Sequence, residues 1–129
     1  MEPVMTANRV VNIRPDVLQL IKEGMYDVVN VPGGTALAAR VDKISVCGKT
    51  GTAQNPHGQD HAWFICYAPK EKPKIAMCVM VENAGFGGVI SAPIAQKMLQ
   101  KFFYPQSDST KLKLDTNALK QPIAHDVQD

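Results

Sequence analysis

The stretch Val46-Cys47-Gly48-Lys49-Thr50-Gly51-Thr52-Ala53-Gln54 decides how the chain is read. Its centre, Gly48-Lys49-Thr50-Gly51-Thr52, sets a cation, two hydroxyls and two glycines side by side, a cluster that packing alone does not call for. It reads as a strand entering a site and offering donors to an anion. Ile44 and Val46 lead into it in alternation, so a strand is expected over 44–52.

Working outward toward the C-terminus, Pro56 and Gly58 mark a loop over 55–60. Ala-Trp-Phe-Ile-Cys-Tyr over 62–67 reads as a second strand, ended by Ala68-Pro69. A charged connection over 70–73 leads to a third strand over 75–81, Ile-Ala-Met-Cys-Val-Met-Val. Short polar loops between three strands predict an antiparallel meander. A glycine-rich loop over 83–88 precedes a helix over 89–104, with Pro93 in its first turn and Ser91 available as a cap. Ile94, Met98, Leu99, Phe102 and Phe103 form its apolar stripe.

Toward the N-terminus, a helix is expected over 13–30, with Pro15 in the first turn and Asp16 at the positive end of the dipole. Val17, Leu18, Leu20, Ile21, Met25, Val28 and Val29 follow helical spacing, and Gly24 weakens the interior by about 1 kcal/mol relative to Ala. Val31-Pro32-Gly33-Gly34 breaks this helix, and 37–41 is expected to be a short strand or half-turn. The fold class is therefore α+β: a three-stranded antiparallel meander packed with two helices. Residues 1–12 read as a lead-in. Residues 105–129 lack a pattern and read as a flexible tail, with a short docked helix around 111–119 as its one candidate element.

The chain has 129 residues, the size of one domain, with 45% apolar and 20% charged residues. A net charge of +2 gives no argument for nucleic acid or an anionic membrane. No apolar run approaches the roughly 20 residues that span a bilayer, and Met1-Glu2-Pro3 does not open a signal peptide. Cys47, Cys66 and Cys78 are odd in number and form no CxxC pair, so neither a disulfide framework nor a zinc site is implied. Each lies in an apolar run and is expected to be a small buried hydrophobe. His57 and His61 would make a metal-like pair only on a helix. Across a glycine-containing loop they are read as loop-ordering residues, so no metal and no cofactor are expected. Trp63 is expected to pack in the sheet, and Glu82 and Asn83 to bind backbone at the turn after the third strand.

Gly48-Lys49-Thr50 invites a nucleotide reading. A phosphate loop also needs glycine five positions earlier, where this chain has Lys43, and a helix directly after the threonine. Lys49-Thr50-Gly51 fits instead the Lys-Thr-Gly element of penicillin-binding proteins and serine β-lactamases. The surroundings sharpen this. The segments Gly48-Lys49-Thr50-Gly51-Thr52-Ala53-Gln54, Asp60-His61-Ala62-Trp63-Phe64-Ile65, Tyr67-Ala68-Pro69 and Val81-Glu82-Asn83-Ala84-Gly85 resemble class B penicillin-binding proteins, most of all the elongation-type penicillin-binding protein 2 subgroup. Gly33-Gly34-Thr35-Ala36 matches what precedes Lys-Thr-Gly in these proteins. The resemblance covers about residues 14–104.

The resemblance implies the C-terminal portion of a serine β-lactamase/transpeptidase-like fold, its meander belonging to a five-stranded sheet. It also implies peptidoglycan D,D-transpeptidation through a serine acyl-enzyme. Lys49 would be the catalytic cation. Thr50, Gly51 and Thr52 would bind the carboxylate of a stem peptide ending in D-Ala-D-Ala, with the Thr52 N–H as an oxyanion donor and Gln54 and His61 at the rim. Other implied partners are β-lactams, the remainder of the transpeptidase domain and the cell-elongation machinery, at the periplasmic face of the bacterial inner membrane, with no nucleic acid. The departure is large. Ser45, Ser91, Ser107 and Ser109 are followed at the third position by Gly48, Ile94, Thr110 and Leu112, so no Ser-x-x-Lys exists. At the second position they meet Cys47, Pro93, Ser109 and Lys111, so no Ser-x-Asn exists. Residues 1–104 are thus expected to be the C-terminal part of a transpeptidase domain, inactive alone. A non-catalytic binding module and a β-lactamase or penicillin-sensor relative remain as alternatives.

Overall fold

The computed structural model describes residues 12–108. The expected lead-in, the expected tail beyond 108 and the candidate helix over 111–119 lie outside the described residues, residue 12 excepted. Cys47–Ala53 (β1), His61–Ala68 (β2) and Ile75–Val81 (β3) form one antiparallel sheet in the order β1-β2-β3. Cys47 stands opposite Tyr67 and Ala53 opposite His61, while Ala62 stands opposite Val81 and Ala68 opposite Ile75. The expected meander is present. β1 starts at Cys47 rather than 44 because Ile44 pairs with Val41 in an isolated bridge, around a bend where Lys43 holds φ 58°. The segment expected as a short strand or half-turn is a 3-10 turn, Leu37–Ala39.

Alternation sorts the sheet into two faces. Ala62, Phe64, Cys66 and Ala68 of β2 are buried, and the register puts Gly48, Thr50 and Thr52 of β1 and Val79 of β3 on their side. The helix Ser91–Phe103 (α2) covers this face, so Phe64, Leu99, Val46 and Val29 lose all exposure. Gly48 makes room for the Phe64 ring: a Cβ there would lie 2.7 Å from Cε2 and closer still to Cζ. Ser91 does not cap α2, as the sequence suggested. Ile90 stands at the N-cap, and the buried Ser91 hydroxyl donates to the carbonyl of Ala62 at 3.0 Å, pinning the helix to β2. A buried hydroxyl costs stability unless it finds such a partner, and here the sheet provides one before the helix end does.

The opposite face carries Cys47, Lys49 and Gly51, then Trp63, Ile65 and Tyr67, then Ala76, Cys78 and Met80. The helix Pro15–Asn30 (α1) lies over one end of it. Asn30 donates to the carbonyls of Tyr26 and Val46, both at 2.8 Å, which ties the end of α1 to the start of β1. Lys70, in the β2–β3 connection, pairs with Glu23 at 2.6 Å and sits 4.6 Å from the centre of the Tyr26 ring. The apolar spacing of α1 does form a helix, yet only Val29 is buried; Val17, Leu18 and Ile21 are exposed and Leu20 is 74% exposed. Trp63 sits on the outer face, 37% exposed, rather than packed inside the sheet. Residues 105–108, expected to begin the tail, form the 3-10 turn Pro105–Asp108.

Cys47 and Cys66 are buried as expected, but Cys78 is exposed, because the register turns it outward beside Ile65. Burial pushes the Cys66 thiol up to about 11 and also raises Cys47. The Tyr67 phenol, buried beside Cys47, is raised for the same reason.

Two tests follow from this packing. Gly48→Ala should destabilise by about 1–3 kcal/mol through overpacking, whereas Gly24→Ala, with nothing within 4 Å of its Cβ, should stabilise by up to about 1 kcal/mol, both read by urea denaturation. At pH 8 iodoacetamide should label Cys78 alone in the folded chain. Because the folded Cys66 thiol holds its proton above the ordinary 9.0, the unfolded chain loses that proton first, so stability should fall as pH rises from 9.0 to about 11.

Candidate functional site

β1 pairs with β2 alone, so its other edge is open among the described residues. Alternation then divides its polar side chains. Lys49 and Gly51 belong to the face of Trp63 and Ile65; Thr50 and Thr52 belong to the face of Phe64 and Ala62. The strand continues through Lys49 and Thr50 to Ala53 and gives way to a loop, so no helix N-terminus follows the threonine to meet a phosphate. Lys49 is exposed and donates to the carbonyl of Thr50 at 2.8 Å. Among the described residues no carboxylate lies within ion-pair distance of it.

Thr50 has a partner that the motif did not reveal. Its hydroxyl lies 2.9 Å from that of Thr35, and either can donate. Thr35 reaches it because the chain folds back after α1. Gly33 takes φ 90°, a Cβ on Gly34 would lie 2.7 Å from the carbonyl of Asp27, and Ala36 N–H donates to the carbonyl of Val28 at 3.0 Å. The glycine-rich loop 83–88 closes over the same spot. A Cβ on Gly87 would lie 2.6 Å from the carbonyl of Gly51 and would collide with that of Trp63. A Cβ on Gly88 would collide with the carbonyl of Thr35 and touch Thr50 Cγ2 at 3.5 Å. Backbone therefore meets backbone at the motif. The glycine count hinted at a loop, but nothing local said what the loop lies against.

Gln54 follows β1 and lines, with Asn55, Pro56 and Asp60, an open depression of about 580 Å³. Asn55 N–H donates to Asp60 Oδ1 at 3.2 Å, and the Asp60 carbonyl accepts from Ala84 and Gly85 at 3.0 and 2.8 Å. His61 opens β2 opposite Ala53. Its Nδ1 accepts the Asn83 N–H at 3.0 Å, so it engages the end of β3 rather than the loop after Lys-Thr-Gly. Asn83, at φ 52°, accepts the Asn55 side-chain amide at 2.6 Å instead of binding backbone with its side chain. His57 donates its N–H to Asn55 Oδ1 at 3.0 Å. Among the described residues no group of His, Cys, Asp and Glu is arranged to hold a metal ion.

Known proteins give this geometry a setting. The family model described as "Penicillin binding protein transpeptidase domain" matches residues 5–100. Peptidoglycan D,D-transpeptidase MrdA of Haemophilus influenzae is 41% identical over 97 residues, which cover 63% of this chain and 15% of that protein. The structure of Pseudomonas aeruginosa PBP2 in complex with WCK 5153 superposes with a TM-score of 0.63 at 35% identity, over 74% of this chain and 21% of that one. Penicillin-binding protein PBP2 of Helicobacter pylori, in complex with MreC, gives 0.61 at 35% identity, over 70% and 18%. The chain thus spans between 15 and 21% of the length of these three relatives.

Thr35→Val should remove the bond to Thr50 at a cost below about 1 kcal/mol, since the pair is exposed, while shifting the Thr50 methyl resonance. Gly88→Ala should cost more, about 1–3 kcal/mol in urea denaturation, because its new Cβ meets backbone.

Proposed function

The chain belongs to the penicillin-binding protein transpeptidase family and has the penicillin-binding/β-lactamase-like fold of its neighbours, and from this we propose that β1 is the substrate strand of a peptidoglycan D,D-transpeptidase. One observation carries the reading: an open-edged strand holds a cation toward one face and two hydroxyls toward the other. A stem peptide ending in D-Ala-D-Ala is an extended chain with a terminal carboxylate. It adds to the open edge through main-chain hydrogen bonds. Thr50 and Thr52 take its carboxylate, with the Thr35 hydroxyl orienting that of Thr50. Gly51, on the face of Lys49 and Trp63, leaves the strand without a side chain there beside the peptide. The Thr52 N–H is one oxyanion donor. Lys49, whose ammonium donates to a neighbouring carbonyl, swings toward the reacting groups, adds positive potential and helps pass protons between hydroxyls. Gln54 and His61 stand at the rim.

In the reaction a serine hydroxyl attacks the penultimate D-Ala carbonyl. The terminal D-Ala leaves with a proton, and a neighbouring stem-peptide amine then displaces the serine from the acyl-enzyme. β-Lactams acylate the same serine. With neither Ser-x-x-Lys nor Ser-x-Asn among its residues, this chain takes its nucleophile from polypeptide outside these 129 residues and is not catalytic alone. The setting is the periplasmic face of the inner membrane, alongside the remainder of the domain and the elongation machinery. Among the described residues no helix is long and apolar enough to cross a membrane.

Titration with an acylated D-Ala-D-Ala peptide tests the reading. The chain should bind it, and Lys49→Ala and Thr50→Val should each weaken binding by about tenfold or more, the equivalent of ~1.4 kcal/mol. Equal binding by Lys49→Ala sinks the substrate-strand role. A covalent adduct with a fluorescent penicillin would refute the claim that the nucleophile lies elsewhere.

A further inference from the structure

His61 is not part of the Lys-Thr-Gly strand, and its ring makes one hydrogen bond of unusual information content. The Asn83 backbone N–H can only donate, so His61 Nδ1, 3.0 Å away, must keep its lone pair. The ring proton then sits on Nε2, and the tautomer is fixed. Asn83 is where the chain turns out of β3 into the loop 83–88, and it does so at φ 52°, in the left-handed region that Asn enters more readily than most residues. Three further bonds meet at that turn. Asn55 donates to Asn83 Oδ1 at 2.6 Å, and the Asp60 carbonyl, one residue before His61, accepts from Ala84 and Gly85 at 3.0 and 2.8 Å. Gly58 leaves space for this junction, since its Cβ would lie 3.0 Å from Asn83 Oδ1. The turn is thus lashed by four hydrogen bonds, three to Asp60 and His61 at the start of β2 and one to Asn55 in the loop before it.

The other end of the same short loop is Gly87 and Gly88, which lie so close to the carbonyls of Gly51, Trp63 and Thr35 that a Cβ on either would collide with them, and a Cβ on Gly88 would also touch the Thr50 methyl. A loop of six residues fixed at its start and in van der Waals contact at its end transmits a shift of one to the other. We infer that His61 is a positioning residue: with Nδ1 accepting the Asn83 N–H it sets Asn83, and through Gly87 and Gly88 it sets the Thr35–Thr50 hydroxyl pair. This rests on the reading of β1 as the substrate strand only for its consequence, the placement of the carboxylate-binding hydroxyl; the lash itself does not depend on it.

The experiment uses the full chain and two substitutions. His61→Asn keeps an acceptor near the Nδ1 position, and His61→Leu keeps the bulk without one. His61→Leu should speed amide exchange at Asn83 by about tenfold or more and shift the Thr50 and Gly51 resonances, and His61→Asn should restore both. A wild-type Asn83 exchange rate in His61→Leu, or Thr50 and Gly51 resonances unmoved while Asn83 exchange rises, overturns the proposal. If His61→Leu does not fold, the wild-type chain still decides: long-range nitrogen–proton correlation of the His61 ring should find the proton on Nε2, and a proton on Nδ1 refutes the bond. Peptide affinity is read separately. If the wild type binds no D-Ala-D-Ala peptide, the substrate-strand reading fails while the exchange and tautomer results still judge the lash. If it binds, His61→Leu should weaken binding several-fold and His61→Asn should not; equal binding by His61→Leu removes the positioning role.

Discussion

Phe64 is fully buried, and its ring tip occupies the space where any residue but glycine at position 48 would carry a side chain. That contact fixes the register between β1 and β2. The side-chain period of a strand is two, so slipping β1 by one residue would turn Gly48, Thr50 and Thr52 outward and drive Lys49 toward the core. Burying an unpaired ammonium is prohibitive, so the apolar packing of one ring and the solvation of one cation enforce the same alignment. The hydroxyl pair, the lie of the glycine-rich loop and the orientation of the open edge all inherit it.

Local pattern made much of this legible. Alternation and turn residues located β2 and β3 to within a residue, and Pro15 and Pro93 marked both helix starts. The Lys-Thr-Gly context identified the family that the comparisons then showed. What stayed hidden was long-range. Thr35 meets Thr50 across 15 positions, His61 meets Asn83 across 22 and Ser91 meets Ala62 across 29. Period two says that neighbouring residues face opposite sides; it does not say which side a helix covers. Hence Cys78, in as apolar a run as Cys66, lies exposed. Ser91 looked like a cap because a serine before a helical run is one locally, until the Ala62 carbonyl competes for it.

The exposed apolar residues of α1 belong with those of the outer sheet face. Leu20, Ile21, Trp63, Ile65 and Met80 are all accessible, and Lys49 shares the sheet face that carries the last three. Solvent now screens that ammonium. Any body laid over the face would remove water from beside the cation, and its field at the open edge would strengthen as the local dielectric falls.

The division of β1 has a consequence for handedness. A ligand laid along this strand would meet main chain in the plane of the sheet, hydroxyls on one side of that plane and a cation on the other. Three anchors that do not share a line distinguish an object from its mirror image. Reversing the configuration at one centre of such a ligand would exchange the group it turns toward Thr50 with the one it turns toward Lys49. The simple alternation of a strand, which puts an ammonium and a hydroxyl on successive residues, gives the two sides of the edge different chemistry.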